Sequence, residues 1–155
     1  MVLEQIFPKE TVIVNLESTE KDELFEEMVE AVHNVCPSLD RAEALDFLND
    51  RESKMTTGIM HNVAVPHALI SSADKSIGAI GISRRGIVYD SLDKAPVYVV
   101  FLIIGASGDT EGHIQILKNL AMVLQVPGIV DKIRSCQTAA EVHNLISSTE
   151  ESLAD

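Results

Sequence analysis

The sequence predicts an α/β fold: one layered domain over residues 1–155, with a mixed central β-sheet flanked by helices. Three observations predict it. Short β-branched runs alternate with amphipathic helical stretches along the chain. The run Pro96-Val-Tyr-Val-Val-Phe-Leu-Ile-Ile104 is almost wholly apolar, as a central strand buried on both faces requires. No repeat, low-complexity linker or composition shift divides the 155 residues, a length suited to a single core.

The elements follow in order. Thr11-Val-Ile-Val-Asn-Leu16 is short and β-branched, and reads as a strand. Ser18 and Thr19 precede an acidic turn, and Leu24, Phe25, Met28, Val29, Val32 and Val35 follow at helical spacing. This is a helix capped at Ser18–Thr19 and ended by Pro37. Asp40-x-x-Glu43 resembles a capping box and opens a second helix with Ala44, Leu45 and Leu48 on one face. From Thr56 the pattern turns to strands: Val63-Ala-Val65, closed by Pro66-His67; then 77–82, 87–89 and 96–104. Gly105-Ala-Ser-Gly108 breaks the last strand. Asp109-Thr110 then starts a helix with Ile114, Leu117, Leu120, Ala121 and Leu124 inward. Pro127 and Thr138-x-x-Glu141 start two more, and the polar tail, 146–155, is expected to fray.

Composition removes several classes of function. With 46% apolar and 23% charged residues the chain can bury a core, so it is not intrinsically disordered. A net charge of −12 argues against a general nucleic-acid or anionic-membrane binder, since both need a basic surface. No apolar run approaches the ~20 residues of a membrane span, and MVLEQIFPKE lacks the charge-then-apolar pattern of a secretory signal. A cytoplasmic location follows as the expectation. Cys36 and Cys136 lie far apart with no CxxC spacing and read as two buried, reduced thiols.

Of the five histidines, His33 and His143 sit inside helical patterns and His61 in a polar turn, all three ordinary surface positions. His67 follows a strand and a proline. Its ring is therefore delivered at a strand end, where α/β folds keep their sites, and Pro66 stiffens the approach. His113 falls in the first turn of a helix, where unpaired N–H groups favour an anion and disfavour a proton on the ring. Position alone leaves either ring more often structural than catalytic. Arg51, by residue type alone, reads as an ion-pair partner of Glu52 or Asp50.

Longer strings decide. Arg51-Glu-Ser-Lys-Met-Thr-Thr57-Gly-Ile-Met-His-Asn-Val63-Ala-Val-Pro-His67-Ala resembles the signature of the type-2 IIA domains of the bacterial phosphoenolpyruvate:sugar phosphotransferase system. These are the fructose-, mannitol- and nitrogen-regulatory IIA proteins, whose pattern runs R-E, T-G-I, a Gly-rich turn, then A-[IV]-P-H. Asp93-Lys-Ala-Pro-Val-Tyr-Val-Val-Phe-Leu-Ile is similar to the family's D-x-x-P-V…F-L strand. His113-Ile-x-Ile-Leu-x-x-Leu-Ala-x-x-Leu124 is similar to its H-L-x-x-L-x-x-L-A helix. Three motifs in the family's order span nearly the whole chain.

The resemblance implies a phosphotransferase that needs no cofactor and no metal. His67 would be the phosphorylated nucleophile, His113 a phosphate and transition-state contact, and Arg51 the phosphate clamp. It implies HPr, or its nitrogen-branch relative, as donor, and a IIB domain as acceptor for sugar uptake. The alternative is a nitrogen-regulatory module with no sugar acceptor, controlling a kinase or transporter through its phosphorylation state. The chain holds no IIB or IIC segment and no linker to one, which leans toward that regulator. A third reading, a metal hydrolase on His61, His67 and His113, lacks any His-x-x-x-His or carboxylate ligand spacing.

One stretch departs from the family. Met60-His61-Asn62 stands where Gly-x-Gly is usual. Asn62 tolerates the positive φ such a turn asks for, whereas Met60 and His61 are bulkier and are expected to border the pocket and narrow its rim. Partner choice is what that change would touch.

Overall fold

A computed structural model describes residues 2–154. The order is α1 (Val2–Ile6), a 3-10 turn (Lys9–Thr11), β1 (Val12–Ile13), α2 (Lys21–Val35), α3 (Arg41–Lys54), β2 (Val63–Ala64) and β3 (His67–Ile70). Then come β4 (Ile77–Ile87), β5 (Val97–Ala106), α4 (Thr110–Leu124), α5 (Ile129–Ser135) and α6 (Ala139–Leu153). The five strands form one mixed sheet in the order β1-β4-β5-β2, with β3 also on β5. β4 runs antiparallel to β5 and the other pairs are parallel.

β5 is central, as its composition demands. Val100, Leu102 and Ile104 face a core layer under α2 and α3, while Val99, Phe101 and Ile103 face a second layer under α1 and α4–α6. Each such buried side chain contributes about 1.5–3 kcal/mol, so both helical layers are welded to this strand.

β2 and β3 lie one after the other along the same edge of β5. β2 pairs at Val99 and Val100, and β3 from Ile103 onward. Between them Pro66 has no N–H to give, but its carbonyl accepts from Ile103 at 3.0 Å. The strand therefore pauses at Pro66 and resumes at His67, rather than closing there.

Several local expectations are corrected. The first strand shrinks to Val12–Ile13, because Thr11 closes the 3-10 turn and its hydroxyl donates to the Gly78 carbonyl. α2 begins after Glu20, since the chain stays extended there; Ser18 caps nothing and instead bonds Glu27. The runs 77–82 and 87–89 are not two strands. Ile77–Ile87 is one strand with an irregularity between Ile82 and Ile87, where Gly86 takes φ +95°.

α4 turns out of its expected phase. His113, Ile116, Leu120, Val123 and Leu124 are buried, whereas Ile114 and Ala121 are exposed and Leu117 is half-buried. The helix is apolar on more than one face, so periodicity offered two stripes and packing chose between them.

The tail does not fray: α6 continues to Leu153, with Ile146 and Glu150 buried. Glu150 accepts from the Leu3 backbone N–H and from Asn119 at 3.0 Å each, tying the C-terminal helix to α1 and α4. Asp155 lies outside the described residues. Asp40 caps α3 as expected, while Glu43 reaches Ser71 and Ser72 instead of closing the box. Cys36 and Cys136 are free thiols; Cys136 is buried as expected, but Cys36, at the C-terminal cap of α2, is only half-buried. No single described helix is long and apolar enough to cross a membrane.

Candidate functional site

His67 opens β3, half-buried, with Nδ1 2.8 Å from the Val65 carbonyl oxygen. A carbonyl oxygen only accepts, so Nδ1 carries the proton, and a neutral ring leaves its lone pair on Nε2. Burial holds the His67 pKa below the ordinary histidine value and the nearby Arg51 cation adds to this. The Val65 bond and the Glu52 charge oppose it. At neutral pH the ring is therefore uncharged, with Nε2 basic and available.

His113 reaches the same place from the first turn of α4. Asp109 caps that helix by accepting from the Gly112 N–H at 3.0 Å. The imidazole is 5% exposed, and its Nδ1 is buried without a hydrogen-bond partner. Burying a lone pair unpaired is cheaper than burying an N–H unpaired, so the proton belongs on Nε2. The two rings lie 5.5 Å apart between centroids, tilted by 48°. Gly105 leaves room for this: a Cβ there would stand 2.9 Å from His113 Nδ1 and 2.8 Å from the Leu69 side chain.

The pKa of His113 is pushed down to about 4, first by burial and then by His67. The sign of the pH effect follows. Between pH 6.5 and about 4 the unfolded chain binds a proton at this residue that the folded chain refuses. Stability is therefore full above that window and falls as pH drops through it, by as much as about 3 kcal/mol from this residue. In denaturant titrations at pH 7 and pH 4.5, His113→Gln should lose visibly less stability on acidification than the wild-type chain. Equal losses would refute the buried neutral ring.

Arg51 comes from the last turn of α3, half-buried, its Nη1 donating to the Met55 carbonyl at 2.8 Å. It pairs with neither expected carboxylate. Lys54 takes Asp50 and Lys21 takes Glu52, each at 3.3 Å. Arg51 and His67 form the shared border of two concavities. One, of about 480 Å³, is a mostly apolar groove running past Met60 and Val65 to Leu117 and Leu124 on α4. The other, about 370 Å³, is shallower and includes His113, Phe47 and Lys54. The half-exposed stripe of α4 that periodicity assigned to the core thus walls the groove.

The three residues singled out from sequence are thus brought to one place, and the remaining histidines are not. His33 and His143 bind the carbonyls of Leu39 and Phe7 at 2.8 and 2.9 Å, joining elements together. His61 does not border the groove as expected: its Nδ1 is 2.7 Å from Asp93 Oδ2, and its side chain is 73% exposed. Asn62 does take the left-handed conformation, φ +64°. Its side chain donates to the Pro96 carbonyl at 2.8 Å, so the turn is fastened and only Met60 faces the groove. Among the described residues no group of three His, Cys, Asp or Glu side chains is placed to hold a metal ion. What sequence reading missed is a buried network of Glu52, Thr57, Tyr89 and Lys21 beneath Arg51. The one signal was the acidic residue directly after the candidate arginine, five positions before Thr57.

Residues 5–149 match the model of the family described as "Phosphoenolpyruvate-dependent sugar phosphotransferase system, EIIA 2". The chain belongs to this family. Among curated EIIA relatives, the fructose-specific EIIABC component of Bacillus subtilis is 29% identical over 95% of the chain. That protein is far longer, and the chain spans only 23% of it. The nitrogen regulatory protein of Pseudomonas aeruginosa is 28% identical, with 93% of this chain and 94% of that one covered. The crystal structure of IIA-Ntr from Neisseria meningitidis superposes with a TM-score of 0.86 at 25% identity, covering 94% of this chain and 99% of that one. Phosphoryl transfer is the chemistry of EIIA domains, and both sugar-transport and nitrogen-regulatory members are similar to this one.

Proposed function

We propose that this EIIA domain is a phosphohistidine phosphocarrier with His67 as its acceptor. The reading rests on a neutral imidazole whose Nδ1–H is held by Val65, leaving Nε2 as a lone-pair nucleophile between Arg51 and His113. In the transfer, His67 Nε2 bonds to phosphorus as the donor's P–N bond breaks. The electron pair returns to the donor's imidazole nitrogen, which leaves. Such reactions need in-line positioning and balancing of charge on the equatorial oxygens. Arg51 supplies a planar fork for two of those oxygens, and His113 a further donor from Nε2.

The donor is HPr or its nitrogen-branch relative. The acceptor is a IIB domain in sugar uptake or, as the second reading, none, with the phosphorylation state signalling to a kinase or transporter. Full-length similarity to nitrogen regulatory proteins favours keeping that second reading. The work is done in the cytoplasm, where phosphoenolpyruvate is available. Incubation with phosphoenolpyruvate, enzyme I and HPr should add one acid-labile phosphate; no uptake from either kind of HPr would reject the proposal. Offering a IIB domain to the phosphorylated chain then separates the readings, since only a transport component discharges to it.

Met60 narrows the groove beside His67 and sets a filter on the donor. A filter obstructs the wrong partner as well as fitting the right one. Met60→Ala should raise the initial rate with foreign HPr, relative to cognate HPr, by about tenfold. An unchanged ratio across a matrix of donors would show that the side chain has no part in partner choice.

A further inference from the structure

Glu52 is an expensive residue to bury. Its side chain is 5% exposed in the layer beneath Arg51, where an apolar side chain of similar volume would serve stability as well. Both carboxylate oxygens are fully occupied. Oε1 accepts from the Thr57 hydroxyl at 2.7 Å and lies 3.1 Å from the Tyr89 hydroxyl, which stands 2.7 Å from Thr57 Oγ1, so the two hydroxyl protons are shared among these three oxygens. Oε2 accepts from the Thr57 backbone N–H at 2.8 Å and the Lys21 ammonium at 3.3 Å. Burial, then the charge of Glu52, raises the Tyr89 pKa, so its phenol stays a donor.

These bonds lead to the site through Thr57. Thr57 is gripped at N–H and hydroxyl together, so its peptide orientation is set. Its carbonyl accepts from the Val65 N–H at 3.2 Å, and the Val65 carbonyl accepts His67 Nδ1–H at 2.8 Å. One buried carboxylate thereby fixes the peptide that selects the His67 tautomer.

We infer that Glu52, acting through Thr57, is a positioning residue for the transfer: it holds the Val65 carbonyl where it keeps the His67 proton on Nδ1 and the lone pair on Nε2. The inference rests on His67 being the acceptor, but the tautomer it predicts exists without any donor. Leucine at position 52 offers these donors no acceptor, whereas a glutamine turned with its carbonyl toward the Thr57 N–H and Lys21 still donates its NH₂ to the Thr57 or Tyr89 hydroxyl oxygen. Thr57→Val removes the hydroxyl alone, and Thr57→Ser restores it.

The test measures two quantities on the unphosphorylated and reacting protein: the ¹⁵N shifts of the His67 ring, which report its tautomer, and the initial phosphorylation rate. Wild type and Thr57→Ser should show a single Nδ1–H tautomer. Glu52→Leu and Thr57→Val should show mixed tautomers and accept phosphate about 10- to 100-fold more slowly, with kcat falling more than the donor KM rises. A single tautomer with wild-type kinetics in both slow-predicted variants overturns the inference. If Glu52→Leu does not fold, Thr57→Val decides. If wild type takes no phosphate on His67, the proposed function falls, and the ring shifts alone still decide on Glu52.

Discussion

His67→Ala should take up no acid-labile phosphate from phosphoenolpyruvate, enzyme I and HPr, while remaining folded. Loss should be complete because no other histidine combines an open Nε2 with a place on the Arg51 border. His33, His61 and His143 each bond Nδ1 to a carbonyl or carboxylate away from that border. His113 is more deeply buried than His67. The fold survives because β3 keeps its backbone pairing to Ile103–Ala106, and the substitution gives up one hydrogen bond worth about 1 kcal/mol. Uptake of label at the wild-type rate by this variant would show that the acceptor lies elsewhere.

The next largest effect belongs to Arg51. Arg51→Ala should slow phosphorylation by roughly 10²–10³, about 2.7–4 kcal/mol in the barrier, by analogy with loss of a preorganised donor at a developing anion. Stability should change little, since the side chain is half-buried and its recorded bond, to the Met55 carbonyl, is one that water can take over. Arg51→Lys restores the charge without the fork and should recover only part of the rate. His113→Ala should act on the return step, slowing discharge of phospho-His67 more than it slows loading. These rates are read by rapid quench against a fixed donor concentration; wild-type values for both alanine variants would make Arg51 and His113 structural residues.

Much of this site could be read from the linear order of residues because its parts are local. The Arg51–Thr57–His67 string, the Pro66 that delivers the ring, the Asp109 cap that places His113 and the left-handed Asn62 are each short-range matters of backbone geometry. The same is true of β5, whose unbroken apolar run announced burial on both faces. The failures have one form. α1 is too short for any period to show. The phase of α4 was ambiguous because two of its stripes are apolar. The tail looked polar while Glu150 was bonded to a backbone amide at the opposite end of the chain.

By itself, then, the sequence determined the family, the α/β layering and which three side chains meet at the candidate site, since propensity, capping and motif spacing act over a few residues. Tertiary structure alone decided which face of α4 walls the groove, that His61 turns away to Asp93 while Met60 faces inward, and that Glu52 lies beneath the site. Those outcomes depend on what long-range packing leaves unpaired or unfilled. A buried carboxylate must find donors for both its oxygens, and here they come from Lys21, Thr57 and Tyr89, residues that only the folded chain brings to Glu52.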